Sequence, residues 1–129
     1  MVLAMAFMYL ITLTFLLVGN ILKKHYSEFP DTTVGFHAGK LARKNRQTWE
    51  EANRYAGNYC TRSSLLLLAA DALVMLGYLF RRAVFSELQW AIFVCVYILG
   101  SVALQLLFLF VLTSCRLKRR FYSDGSAKL

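Results

Sequence analysis

The sequence predicts an all-α membrane protein: three transmembrane helices, with an amphipathic cytoplasmic helix between the first and the second, the N-terminus outside and the C-terminus inside. Three observations lead there. Hydrophobic residues make up 58% of the 129-residue chain and charged residues only 17%, against roughly 45–50% and about 25% in soluble domains, so the apolar surplus needs a setting other than a protein core. Three apolar runs are long enough to cross ~30 Å of hydrocarbon, which takes about 20 residues at ~1.5 Å each. The basic residues, which give a net charge of +8, gather on one side of those runs. The same composition excludes a disordered basic tail, whose low hydrophobicity is what keeps it unfolded. The odd count of 3 cysteines, all in or beside apolar runs, excludes a disulfide-stapled miniprotein.

The spans are residues 2–22, 63–80 and 88–114, and the whole of 1–129 reads as one integral membrane domain. The first run lacks the basic n-region and the small-residue cleavage site of a signal peptide, so a retained helix is expected. Of the 15 basic residues, all but Arg81 and Arg82 lie either in the segment 23–62 or in the tail 115–129. An odd number of spans returns those two segments to one side, and the positive-inside rule makes that side the cytoplasm of a multi-pass protein of the cell membrane. The basic and aromatic stretch from Arg116 to Tyr122 is then topogenic charge beside anionic lipid, and nucleic acid is not among the expected partners.

Within the segment 23–62, residues 25–39 hold the sole proline and several turn formers and read as an irregular loop. Residues 41–60 read as helix. Thr48 and Glu51 fit a capping box, and Trp49, Ala52, Ala56, Tyr59 and Cys60 recur at helical spacing. Tryptophan favours the headgroup level, so this helix is expected near the inner surface, bending at Gly57 into the second span or running into it continuously.

The stretch Val34-Gly35-Phe36, followed by Lys44-Asn45-Arg46-Gln47-Thr48-Trp49-Glu50-Glu51-Ala52-Asn53-Arg54-Tyr55-Ala56, resembles the signature of the SdpI-type immunity proteins: Gly-aromatic-Arg-Thr, a spacer, then Lys-Asn-x-x-Thr-Trp-x-x-Ala-Asn-basic. The resemblance covers about thirty residues of the cytoplasmic segment and the arrangement of spans around it. It implies a small bacterial membrane protein that protects its producer from a secreted antibacterial toxin. It also implies site residues: Gly35, Phe36, Asn45, Thr48, Trp49 and Asn53. The family's Arg-Thr pair is replaced by His37 and Ala38, and the spacer is one residue longer. Each implied residue has a structural alternative. Gly35 can supply a backbone angle, Thr48 a cap and Trp49 an interfacial anchor, while Asn45 and Asn53 are harder to explain as filler.

Asp71 is an acid inside a span. At mid-membrane such a carboxylate costs on the order of 2.5–3.5 kcal/mol, so it must face other helices or water. Counting at ~1.5 Å per residue from the basic side places Thr14, Asp71 and Gln105 at one level, roughly 12–14 Å deep, and predicts a Thr14, Asp71 and Gln105 cluster joining the three helices. Ala69, Ala72, Gly100 and Ala103 offer small surfaces for close helix approach. The sequence shows no metal-ligand spacing, phosphate loop or nucleophile with a base in sequence reach, so no enzyme activity, metal or cofactor is expected. The expected function is a non-enzymatic immunity protein that binds a membrane-active toxin at or in the bilayer. Its alternatives are a signalling or accessory subunit recruiting a cytoplasmic partner, and a small transporter or lipid-handling protein. Expected partners are the lipid bilayer and a secreted toxin or another membrane protein, with self-association left open.

Overall fold

In a computed structural model of the chain, every residue except Ala38, Arg82 and Leu129 is described. Three long helices follow one another: α1 (Val2–Lys24), α2 (Arg46–Arg81) and α3 (Glu87–Arg120), with a single 3-10 turn, Leu41–Arg43, before α2. All three are long and apolar enough to cross a membrane. α1 matches the hydrocarbon thickness at about 34 Å, whereas α2 and α3, at about 54 and 51 Å, must extend well beyond it. Large side chains are exposed all along them, such as Leu3, Leu10 and Leu17 on α1, Leu66 and Leu73 on α2 and Phe93 and Leu99 on α3. Apolar exposure on that scale suits lipid and not water.

The helix boundaries have local causes. Asn45 starts α2: its Oδ1 accepts from the Thr48 amide at 2.9 Å, and Thr48 Oγ1 accepts from the Asn45 amide at 3.1 Å. The reciprocal cap therefore lies one turn earlier than the predicted Thr48 and Glu51 box, because asparagine is the stronger N-cap and releases Glu51 for other partners. The 46–60 stretch and the second span are one uninterrupted helix. Ser86 and Gln89 form the same kind of box at the start of α3, at 3.2 and 2.9 Å. Lysines and arginines occupy the last turns of α1 and α3, opposite the negative ends of their dipoles.

α1 and α2 cross at two glycines. A Cβ on Gly57 would lie 2.7 Å from the backbone nitrogen of Lys23, and one on Gly19 would lie 2.8 Å from that of Thr61. The small residues expected to mediate helix contact do not do so: Ala69, Ala72 and Ala103 are exposed, and the space beside Gly100 is open. Lipid-facing and core-facing positions both read as apolar in such spans, so spacing alone could not identify the contact face.

Buried apolar residues form two layers. One, toward the end where the basic residues gather, joins Leu22, Phe36, Ala52, Ala56, Leu109 and Phe121. The other, toward the 81–87 turn, joins Met5, Met8, Val94 and Ile98. We call these ends the basic end and the turn end. Past α3 the chain folds back, pairing Phe121 with Ala127 in an isolated antiparallel bridge and burying Phe121.

Candidate functional site

Four of the six motif residues, Phe36, Thr48, Trp49 and Asn53, are buried side by side at the basic end, with Gly35 and Asn45 partly buried at its edge. Trp49, Thr48 and Asn53 lie on the first turns of α2 and are fully buried. Their burial follows from the loop 25–39, which closes over them. Trp49 Nε1 donates to the Ser27 carbonyl at 2.7 Å. Asn53 Oδ1 accepts from the Phe36 amide at 2.8 Å, and its Nδ2 donates to the Trp49 carbonyl at 2.8 Å. Both ends of one amide are thereby used within the protein, as a buried polar group requires.

Gly35 completes this arrangement. Its φ of +147° lies where side chains are strained, and a Cβ there would sit 2.4 Å from Asn53 Oδ1 and 2.8 Å from the Trp49 ring. Phe36 is delivered by that turn into the core, against the Phe110 ring of α3 with centroids 5.7 Å apart. His37 stands where the family pattern has arginine. Its ring meets Trp49 edge-on at 6.1 Å between centroids and its Nε2 contacts the Thr32 carbonyl, so it is held by the loop itself. Ala38, the other departure, lies outside the described residues. Asn45 has a second task, donating from Nδ2 to the Gly125 carbonyl at 2.7 Å and thereby fastening the C-terminal turn. The tryptophan expected at the headgroup level is instead part of a protein core.

Beside this core sits a charge cluster that the sequence reading missed. Glu51 is 5% exposed and hydrogen-bonds Arg54. It also accepts from Arg116 Nε at 3.1 Å and lies 3.6 Å from Arg120. Burial alone would raise its carboxyl pKa, but the hydrogen bonds from Arg54 and Arg116 and the Arg54 and Arg120 charges outweigh it and hold the group below the usual carboxylate range. The pairs with Arg116 and Arg120 fasten α3 to α2. No local spacing signals them, since 65 residues separate Glu51 from Arg116.

Asp71 is 1% exposed and joins three helices, with partners other than those predicted. Thr12 of α1 donates to its Oδ2 at 2.6 Å and Tyr97 of α3 to its Oδ1 at 2.7 Å. Thr14 is exposed and donates instead to its own helix, at the Leu10 carbonyl. Gln105 lies apart, accepting from Tyr59 at 3.3 Å. Depth counting gave the right region on α1, but two residues rotate a side chain about 200° around a helix. Tyr97 escaped notice because a tyrosine in an apolar run counts toward the span. Two hydroxyls satisfying both oxygens of a carboxylate make a helix clamp. Asp71 lines none of the five main hollows of the molecule.

At the turn end, a hollow of about 330 Å³ is lined by Phe85, Gln89, Trp90 and Phe93, with Phe85 and Phe93 each about half exposed. Phe85, Phe93 and Tyr78 each meet the Trp90 ring edge-on, with centroids 5.4, 6.0 and 5.7 Å away.

No family model, curated protein or solved structure matches the chain.

Proposed function

We propose that this protein is a non-enzymatic immunity protein of the SdpI type, which protects a bacterial membrane by contacting a secreted, membrane-active toxin within the bilayer. Its N-terminus faces outward and its basic end faces the cytoplasm, as the distribution of lysine and arginine favours. The observation that carries the reading is the burial of the motif. Trp49 and Asn53 are fully buried and hydrogen-bonded inside the protein, so recruitment of a cytoplasmic partner through them would require the loop to open. Likewise the satisfied, enclosed Asp71 offers little to a transported ion or lipid. An open hollow lies at the turn end, where the exposed Phe85 and Phe93 flank Gln89 and the buried Trp90. The 81–87 turn is too short to capture a large soluble protein, so the toxin is engaged by helix faces and the outer ends of the spans.

The test is expression in a sensitive bacterium challenged with secreted membrane-active peptides. The double substitution Phe85→Ala, Phe93→Ala is expected to abolish protection at unchanged protein level, while Arg54→Ala, on an exposed cytoplasmic face, is expected to leave it intact. Protection lost with Arg54→Ala and retained in the aromatic variant would favour an accessory subunit instead.

A further inference from the structure

α2 and α3 diverge along a groove that changes character along its length. Toward the middle of the helices it is an apolar hollow of about 310 Å³, walled by Leu66, Leu67, Leu104 and Phe108. Toward the basic end it continues as a hollow of about 470 Å³ whose lining includes Tyr55, Asn58, Arg62 and Arg116. Tyr59, Ser63 and Leu66 belong to both hollows, which are therefore one groove with a polar mouth and an apolar floor. From Tyr55 to Ala70 along α2 is about 22 Å at ~1.5 Å per residue. One leaflet with its headgroup region is about 20–22 Å thick.

The polar groups in the groove have unused capacity. Arg62 is exposed and makes no ion pair among the described residues. Arg116 gives Glu51 its Nε and stacks over the Tyr55 ring at 5.6 Å from the centroid, a placement that aims a guanidinium at the mouth. Gln105 lines the groove, is 7% exposed and accepts from Tyr59, one of the residues at the junction of the hollows. Its buried Nε2 has no hydrogen-bond partner among the described residues. An unused buried donor is costly in an apolar setting, and a bound acceptor offsets that cost.

We propose that the α2 and α3 groove is a binding site for an anionic phospholipid. Its phosphate lies between Arg62 and Arg116, an ester carbonyl accepts from Gln105 Nε2 at the junction, and one acyl chain follows Leu66, Leu104 and Phe108. Two cations, then a hydrogen-bond donor, then apolar walls repeat the order of groups in such a lipid, read from headgroup to tail. The site is independent of the toxin reading, because it lies on the other half of the molecule and uses none of the turn-end aromatics.

Native mass spectrometry of the full chain released from detergent tests it, with added phosphatidylglycerol, phosphatidylcholine or inorganic phosphate. Phosphatidylglycerol should remain bound as a single adduct, and phosphatidylcholine, whose phosphate carries a cationic choline that Arg62 and Arg116 repel, should be retained roughly tenfold less. Arg62→Ala should cut phosphatidylglycerol retention by a similar factor, whereas Arg119→Ala, which removes the same charge from an exposed position that lines neither hollow, should not. Gln105→Leu should weaken retention of either lipid several-fold. Equal retention of the two lipids, equal effects of Arg62→Ala and Arg119→Ala, displacement of lipid by inorganic phosphate, or a lipid-free dimer would each overturn the proposal.

Discussion

The two faces of α2 are packed by opposite means. Against α1 it approaches until backbone meets backbone at Gly19 and Gly57, and the loop that follows α1 closes over Trp49 and Asn53 with side-chain hydrogen bonds at 2.7–2.8 Å. Against α3 it is held by polar pins, Asp71 with Tyr97 and Glu51 with Arg116 and Arg120, with a groove alongside. The tight seam pairs Trp49 Nε1 and both ends of the Asn53 amide. The open one leaves Gln105 Nε2 without a partner. Where α1 and α2 touch through glycine the backbones themselves fix the approach, and where α2 and α3 touch through long polar side chains a groove remains beside them.

That contrast can be broken most severely at Gly35. Gly35→Ala places a methyl group on Asn53 Oδ1 in a backbone conformation that disfavours side chains, and should cost roughly 2–4 kcal/mol. Limited proteolysis should then cut the 25–45 segment well before either long helix. Gly57→Ala attacks the seam itself. A Cβ at 2.7 Å from Lys23 backbone cannot be relieved by a rotamer change, so about 1–3 kcal/mol should be lost in detergent unfolding.

Glu51→Gln tests the pins. The three arginines are 39–66% exposed, so solvent screening holds the expected loss near 1 kcal/mol. Because the folded carboxyl titrates below its ordinary value of 4.5, the pairing stabilises the fold above that pH and its contribution fades as pH falls below it. The wild-type unfolding temperature should therefore drop on acidification below pH 4.5 more steeply than that of the variant. The smallest effect belongs to Gly100→Ala. With nothing near its Cβ, the substitution should be neutral or gain a few tenths of a kcal/mol from helix propensity. A clear destabilisation there would show that α3 has a tight seam of its own.

Much of this architecture is legible in the sequence, and the parts that are not share a cause. Run length reveals the three spans because hydrocarbon thickness demands it. It says nothing about rotation, which is why Thr14 stands out as readily as Thr12 and why Ala72 and Gly100 look like contact residues. The motif marks Asn45, Trp49 and Asn53 as unusual, and these are the side chains that close the basic end. Their partners are distant, Phe36 at 17 positions and Gly125 at 80, and no local pattern announces them. Glu51 reads as a cap because its sequence neighbours fit one, while two of its three partners, Arg116 and Arg120, arrive on the far end of α3.

The crowding around Gly35 also orders the substitutions open to this chain through time. While tryptophan stands at 49 and asparagine at 53, position 35 has no tolerated neighbour one mutation away, since even a methyl group meets both side chains. A lineage could relax Asn53 or Trp49 first and the glycine afterwards, and never in the reverse order. Glycine is therefore the last of the three to be lost, and diverged descendants would still carry it after the side chains it accommodates have gone.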